Sequence, residues 1–279
     1  MTKVLNQAGD SCKRLVLILL LTVTSGAAQA FYHEHGIWEG LLKRHVVLTS
    51  DGNASQIDYA RVSSERNELK GYLDTLSGVS EDEYQGWSKA QRLAFLINAY
   101  NAFTVEFILT AYPDIKSIKD LGNLFQSPWK KRFFVLLGEK RHLDNLEHGL
   151  IRAPGVFAEP RIHFAVNCAS IGCPMLRDEA YTAERLELQL EDAMDRFLSD
   201  SSRNRFDSKE NSLQVSPIFD WYGQDFEQGH SGFTSLQETF ARFAEQLAGD
   251  PQSVQRIRAG DYRIVFLDYD WGLNDVGEF

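Results

Sequence analysis

SKAQRLAFLINAYNAFTVEFILTAY, residues 88–112, is apolar almost all round after Arg92. A surface helix carries one apolar stripe, so a helical segment with no polar face is read as buried on most of its circumference. It belongs at the centre of the fold. Ser88 is placed to cap its start, and Pro113 stops it after Tyr112. Asn98 and Asn101 interrupt the apolar surface, and three positions apart they share a face. A buried amide without partners costs on the order of 1–3 kcal/mol. The pair therefore either organises a site or ties down a loop.

Outward from this helix, Gly36 to Leu48 and Arg61 to Leu76 read as further helices, and Thr182 caps an amphipathic one running to Leu198. Arg132 to Leu137 and Arg141 to Leu143 read as short strands around a turn at Gly138-Glu139-Lys140. Phe206 and Leu213 to Val215 suggest a hairpin around Ser208 to Asn211, Phe233 to Leu247 a helix, and Arg263 to Leu267 a last strand. The class is α+β: a helix-rich single domain with a central buried helix and a small antiparallel sheet. Trp221, Tyr222 and Phe226 share a helical stripe and read as core.

Lys3, Lys13 and Arg14 precede the apolar run Leu15 to Val23, and small residues lead to Ala28-Gln29-Ala30. This is the pattern of a secretory signal peptide, too short to span a membrane. Cleavage after Ala30 leaves residues 31–279 as one globular domain, periplasmic or secreted, with no membrane span. The 279-residue chain has a net charge of −10; residues 1–30 carry three cations and one anion, so the remaining 249 residues carry −12. That charge disfavours nucleic acid and anionic lipid as partners, leaving a small molecule, a peptide or a protein. Cys12 leaves with the signal, and Cys168 and Cys173 remain in an oxidising space.

Those cysteines lie in RIHFAVNCASIGCPML, residues 161–176, whose first six residues read as a strand with Ile162, Phe164 and Val166 on one face and His163 on the other. Upstream, Asp144 is a helix cap and Glu147, three residues on, fits a capping-box variant. His148 falls in the first turn of the short helix Asn145 to Arg152, where the macrodipole favours a neutral imidazole able to act as a base.

Four blocks, AFLINAYNAFTVEFIL, LDNLEHGLIR, RIHFAVNCASIGCPML and FLDYDWGLN, spanning Ala94 to Asn274, resemble the family known as domain of unknown function 547, found in bacterial exported proteins and at the C-terminal end of some plant proteins. The resemblance implies no named reaction. Its motif positions here are Asn98, Tyr100, Asn101, Glu147, His148, His163, Asn167, Cys168, Cys173 and Pro174.

Two functional readings stay open. In one, Cys168 and Cys173 form a disulfide that fixes a short loop beside His163, and the domain is a binding or scaffold module. In the other, Cys168 is a nucleophile, His163 or His148 its base, and Asn98, Asn101 or Glu147 an orienting or oxyanion group, for acyl transfer or amide hydrolysis. Both histidines precede the cysteine, so that enzyme has a permuted order relative to papain-like proteases. The exported setting favours the bridge. No cofactor motif is present, and His163 with the two cysteines matches no zinc signature. One metal candidate remains: His33 would be third from a terminus at Phe31, a position where amine, amides and imidazole can wrap Cu(II). Asp270, between Tyr269 and Trp271, could accept from a histidine or simply pin the terminus.

Overall fold

The computed structural model describes residues 30–123 and 125–276. The expected signal segment lies, up to Gln29, outside the described residues. From Phe31 onward the chain forms one compact unit. Among the described residues no helix is long and apolar enough to cross a membrane.

Helix α1 (Gly36–His45) gives way to strand β1 (Val46–Leu48), which pairs antiparallel with β2 (Ser55–Ile57). The helix was expected to continue to Leu48, but the paired Val46-Val47 favours the pleated surface. Three helices follow: α2 (Tyr59–Ser64), α3 (Arg66–Ser77) and α4 (Glu81–Gln85). Next comes the long helix α5 (Lys89–Leu109), opened by a capping box in which Ser88 Oγ accepts from Gln91 N–H and Gln91 Oε1 from Ser88 N–H. As its composition requires, every residue from Leu93 to Val105 is buried.

Strands β3 (Phe134–Leu136) and β4 (Glu139–Arg141) form a hairpin. Leu137 and Gly138 both have positive φ, so the turn is a two-residue one that ends earlier than the sequence suggested. Helix α6 (Leu186–Ser199) starts at Leu186 rather than after Thr182, which closes a separate turn by accepting from Arg185 N–H. The hairpin β5 (Arg205–Asp207) and β6 (Ser212–Val215) forms as expected. Short helices α7 (Ile218–Trp221), α8 (Leu236–Arg242), α9 (Ala244–Leu247) and α10 (Pro251–Ala259) lead to β7 (Arg263–Phe266), which joins β6 in parallel.

The α+β reading holds, with small sheets around a buried helix. Burial is divided between two apolar clusters, one centred on α5 and the other on α6, β6 and α7 to α10. Residues Pro160–Phe164 run between them, and here the strand expectation fails: the segment is a short 3₁₀ helix. Pro160 starts it, and the Glu159 carboxylate accepts from Arg161 N–H. Every residue from Pro160 to Asn167 is buried. Ile162 and Val166 enter the α5 cluster whereas Phe164 enters the other. An apolar run clamped between two cores has no solvent face, so alternation does not describe it.

Candidate functional site

Glu147 and His148 sit on a π-helical turn, Asn145–Ile151, continued by Arg152 N–H donating to Glu147 O at 2.8 Å. Such i→i+5 turns recur at functional sites because the extra residue redirects side chains. Local chemistry supports it. Asn145 N–H donates to His142 Nδ1 at 3.0 Å, and Asn145 Oδ1 accepts from Arg141 at 2.8 Å. Gly149 leaves the space this amide needs, since a Cβ there would lie 2.6 Å from Asn145 Nδ2. Asp144 makes no side-chain cap bond, so Glu147 is not the third residue of a capping box. It is a buried carboxylate facing a cleft.

Arg152 connects two imidazoles. One guanidinium nitrogen lies 2.6 Å from His148 Nδ1, and two others donate to Asp225 at 2.8 and 3.0 Å. A guanidinium has only donors, so Nδ1 of His148 is the acceptor and its ring proton sits on Nε2. Asp225 also binds His163 Nε2 at 2.7 Å, and the His163 ring stacks on Tyr222 at 4.0 Å. Burial lowers the His163 pKa against the opposing pull of Asp225. For Asp225, partial burial would raise the carboxyl, but bonds from His163 and Arg152 outweigh it and hold the group well below the ordinary carboxylate range. A histidine fixed through Nε2 by a carboxylate leaves Nδ1 as its other site.

Cys168 and Cys173 are disulfide-bonded, with Cα atoms 6.2 Å apart. The loop they close is held from three sides. Asn167 accepts from Ala169 N–H and donates to Pro174 O; Ala169 has a φ of 61°, a conformation rare for a residue with a Cβ. The C-terminal run docks alongside, with Ile171 and Gly172 N–H donating to Gly272 and Asp270 carbonyls at 2.8 Å. Gly172 is required by that approach, not by flexibility: a Cβ would meet the Asp270 backbone at 3.0 Å. Beneath lies Asn101, which accepts from Asn167 N–H at 2.8 Å and donates to Ala165 O at 2.9 Å. Asn98 clamps Tyr181 in the same way, at 2.7 and 3.0 Å. Both asparagines therefore tie loops to α5, and neither is among the residues facing the cleft.

Intact-mass measurement after alkylation should find neither Cys168 nor Cys173 labelled until reductant is added. So short a ring removes little chain entropy, and reduction should lower stability by about 2 kcal/mol. Labelling without reductant would contradict the bridge.

The cleft encloses about 300 Å³ where the two apolar clusters meet. Glu147, Tyr100, His163 and the disulfide line it. An aromatic wall lines it too, in which Tyr269 lies 4.5 Å from Trp271 and 5.0 Å from Trp221, with Trp129 5.6 Å from Trp271. Trp221 and Tyr222 are thus cleft walls rather than core; only Phe226 of that stripe is fully buried. The Tyr269 hydroxyl lies 3.3 Å from Cys168 Sγ. Burial raises the Tyr100 and Tyr222 phenols, and the nearby Glu147 charge raises both further, so each is a protonated donor at neutral pH.

Residues 84–198 match the family model described as protein of unknown function, DUF547. No curated protein and no solved structure matches the chain. The matched segment holds Asn98, Asn101, Glu147, His148, His163, both cysteines and Trp129; Asp225, Tyr222 and the remaining wall residues Trp221, Tyr269 and Trp271 lie beyond it.

Of the residues singled out in the sequence, Glu147, His148, His163, Cys168 and Cys173 meet in this cleft. Asp225 and Arg152, which join the histidines, are not singled out by the sequence: Asp225 lies 62 positions from His163 within the aromatic stripe read as core, and Arg152 closes the LDNLEHGLIR block without being one of its motif positions. Asp270 pins its own turn by accepting from Gly272 N–H. His33 lies elsewhere, edge-on to Trp87 at 4.5 Å, while Phe31 N–H donates to Glu83 at 2.9 Å. Among the described residues no three His, Cys, Asp or Glu side chains are grouped to hold a metal.

Proposed function

We propose that the chain is an exported binding module whose ligand, a small organic molecule, occupies this cleft. What supports the reading most is the position of Glu147: a buried carboxylate lining an aromatic-walled cavity between two cores. Ligand pockets combine apolar walls with a few convergent polar groups in this way. The disulfide fixes one wall, and the signal-like N-terminus is the basis for placing the protein in the periplasm or outside the cell.

The five tryptophans make the test internal. Indole NMR resonances of Trp129, Trp221 and Trp271 should shift on titration with a panel of small amines, sugars and dipeptides, while Trp38 and Trp87, outside the cleft, stay still. Glu147→Gln should weaken the response at least tenfold. Uniform or absent shifts across the whole panel would remove the binding reading.

A second reading is supported by one observation, the hydrogen bond between His163 and Asp225. After reduction of the bridge by a dithiol, Cys168 would be a thiol in the same cleft as an imidazole held by a carboxylate, the arrangement acyl transfer or amide hydrolysis needs. In this reading His163 takes the Cys168 proton, the sulfur adds to a carbonyl, and the leaving group departs with that proton before water releases the acyl group. Iodoacetamide labelling of reduced Cys168 near pH 7 should then slow tenfold or more in His163→Ala. Equal rates in both proteins would leave Cys168 without an activator.

A further inference from the structure

We propose that the cleft selects an organic ammonium ion, a deepening that rests on the binding reading above. Three independent features converge on that chemistry. The first is charge: Asp144 and Glu147 face the cavity, and among the described residues no lysine or arginine does. Two guanidinium groups border it and each is engaged by the protein, Arg152 with Asp225 and His148 and Arg203 with Asp200 and the Cys173 carbonyl. An anionic ligand therefore meets like charge at Glu147, beside which stand the Tyr100 and Tyr222 hydroxyls and His148 Nε2 at 4.0 Å, whereas a cation meets a partner already partly desolvated.

The second feature is the wall itself. Trp129, Trp221, Tyr269 and Trp271 form a contiguous aromatic surface, and the negative faces of such rings attract ammonium groups, Trp most strongly. The third is that two aromatic residues of the cleft, Trp271 of this wall and Tyr222 beside His163, already hold cations of the protein's own. Lys119 Nζ lies 3.8 Å from the Trp271 ring centroid, and the Arg152 guanidinium 4.8 Å from that of Tyr222. Neither Lys119 nor Arg152 is a cleft-facing residue, so cations approach this aromatic set from outside the cavity.

A sugar would also stack on the wall. It would require a dense array of paired donors and acceptors, and besides the tyrosines and histidines the cavity offers one hydroxyl, Ser127. The lining is rich in π faces and carboxylate acceptors, which is what a cation uses. Cages that bind quaternary ammonium groups are built from the same components.

The test compares choline with 3,3-dimethylbutan-1-ol, its neutral carbon isostere, by following the indole resonances of Trp129, Trp221 and Trp271. Choline is expected to bind at least tenfold more tightly than the alcohol, and Glu147→Gln to bring the two close together by weakening choline alone. Unchanged Trp38 and Trp87 resonances report that the variant is folded. Equal binding of choline and alcohol by the wild-type protein overturns the charge selection while the cleft remains a binding site. Tighter binding of N-acetylglucosamine than of choline overturns it too, in favour of a sugar. If none of the three probes moves the cleft indoles, the ammonium proposal fails; if the wider panel of amines, sugars and dipeptides is also silent, the binding reading fails with it.

Discussion

Lowering the pH from 7 to 4 should remove about 3 kcal/mol of stability through one side chain, His35, and urea unfolding of His35→Asn should show a correspondingly flatter pH dependence. His35 is buried, with Nδ1 2.7 Å from the Tyr72 hydroxyl and Nε2 without a partner among the described residues. Burial, aided by the neighbouring His33, lowers its pKa from 6.5 to about 3. The unfolded chain then takes up a proton below pH 6.5 that the folded protein refuses until pH 3. Stability attributable to the neutral ring is complete above 6.5, falls through the interval, and stops falling below about 3. His163, lowered by burial, works in the same direction. Asp225 adds a further loss below its unfolded value near 4, because its folded pKa is depressed. Asparagine suits position 35, where φ is 51°, because it tolerates the left-handed region better than most residues. His35→Asn should be less stable than wild type at pH 7 and close much of the gap at pH 4. Parallel profiles for the two proteins would show that the imidazole titrates normally.

What the sequence made legible follows from where local chemistry is decisive. Helix α5 was readable because Ser88, Gln91 and an unbroken apolar surface all specify the same element. The β5–β6 hairpin was readable from its turn residues, and α10 carried equally plain signals in Asp250, Pro251 and Gly260, although the expectation passed over it. The segment from Arg161 to Val166 was not legible, because its residues are divided between two cores. Composition cannot report that. The π turn depends on one extra residue being absorbed between Asn145 and Ile151, stabilised by Arg141 and His142 outside it. The candidate site shows the same division. Glu147, His148, His163 and the cysteines were found from residue type, but what joins them was not: Arg152 and Asp225 acquire meaning only when α7 and its following turn fold back over the 3₁₀ segment. Asn98 and Asn101 were visible as anomalies in an apolar helix, and the contacts decide that they fasten loops.

Asn101→Ala is expected to destabilise the protein by roughly 2–6 kcal/mol and to loosen the disulfide loop, two effects that Asn98→Ala separates. The Asn101 amide satisfies two buried backbone groups, the Ala165 carbonyl at 2.9 Å and the Asn167 N–H at 2.8 Å. Truncation strands both, and a buried polar group left without a partner costs about 1–3 kcal/mol. Asn98 holds the Tyr181 backbone with the same two-bond geometry, so Asn98→Ala should lose a similar amount in urea unfolding. The consequences diverge beyond that. Asn167, positioned by Asn101, bonds Ala169 N–H and Pro174 O on either side of the bridge, so releasing it frees the Cys168 loop at its base. Reduction of the bridge by dithiothreitol at pH 8 should therefore accelerate severalfold in Asn101→Ala and stay near the wild-type rate in Asn98→Ala. Asn101→Asp sharpens the distinction, because an ionised carboxylate can still accept from Asn167 N–H but cannot donate to Ala165 O. That variant should lose stability while retaining slow reduction. If all three variants are reduced at one rate, Asn101 anchors the central helix without holding the loop, and the shape of the Cys168–Cys173 wall must come from the Gly172 and Asp270 backbone contact instead.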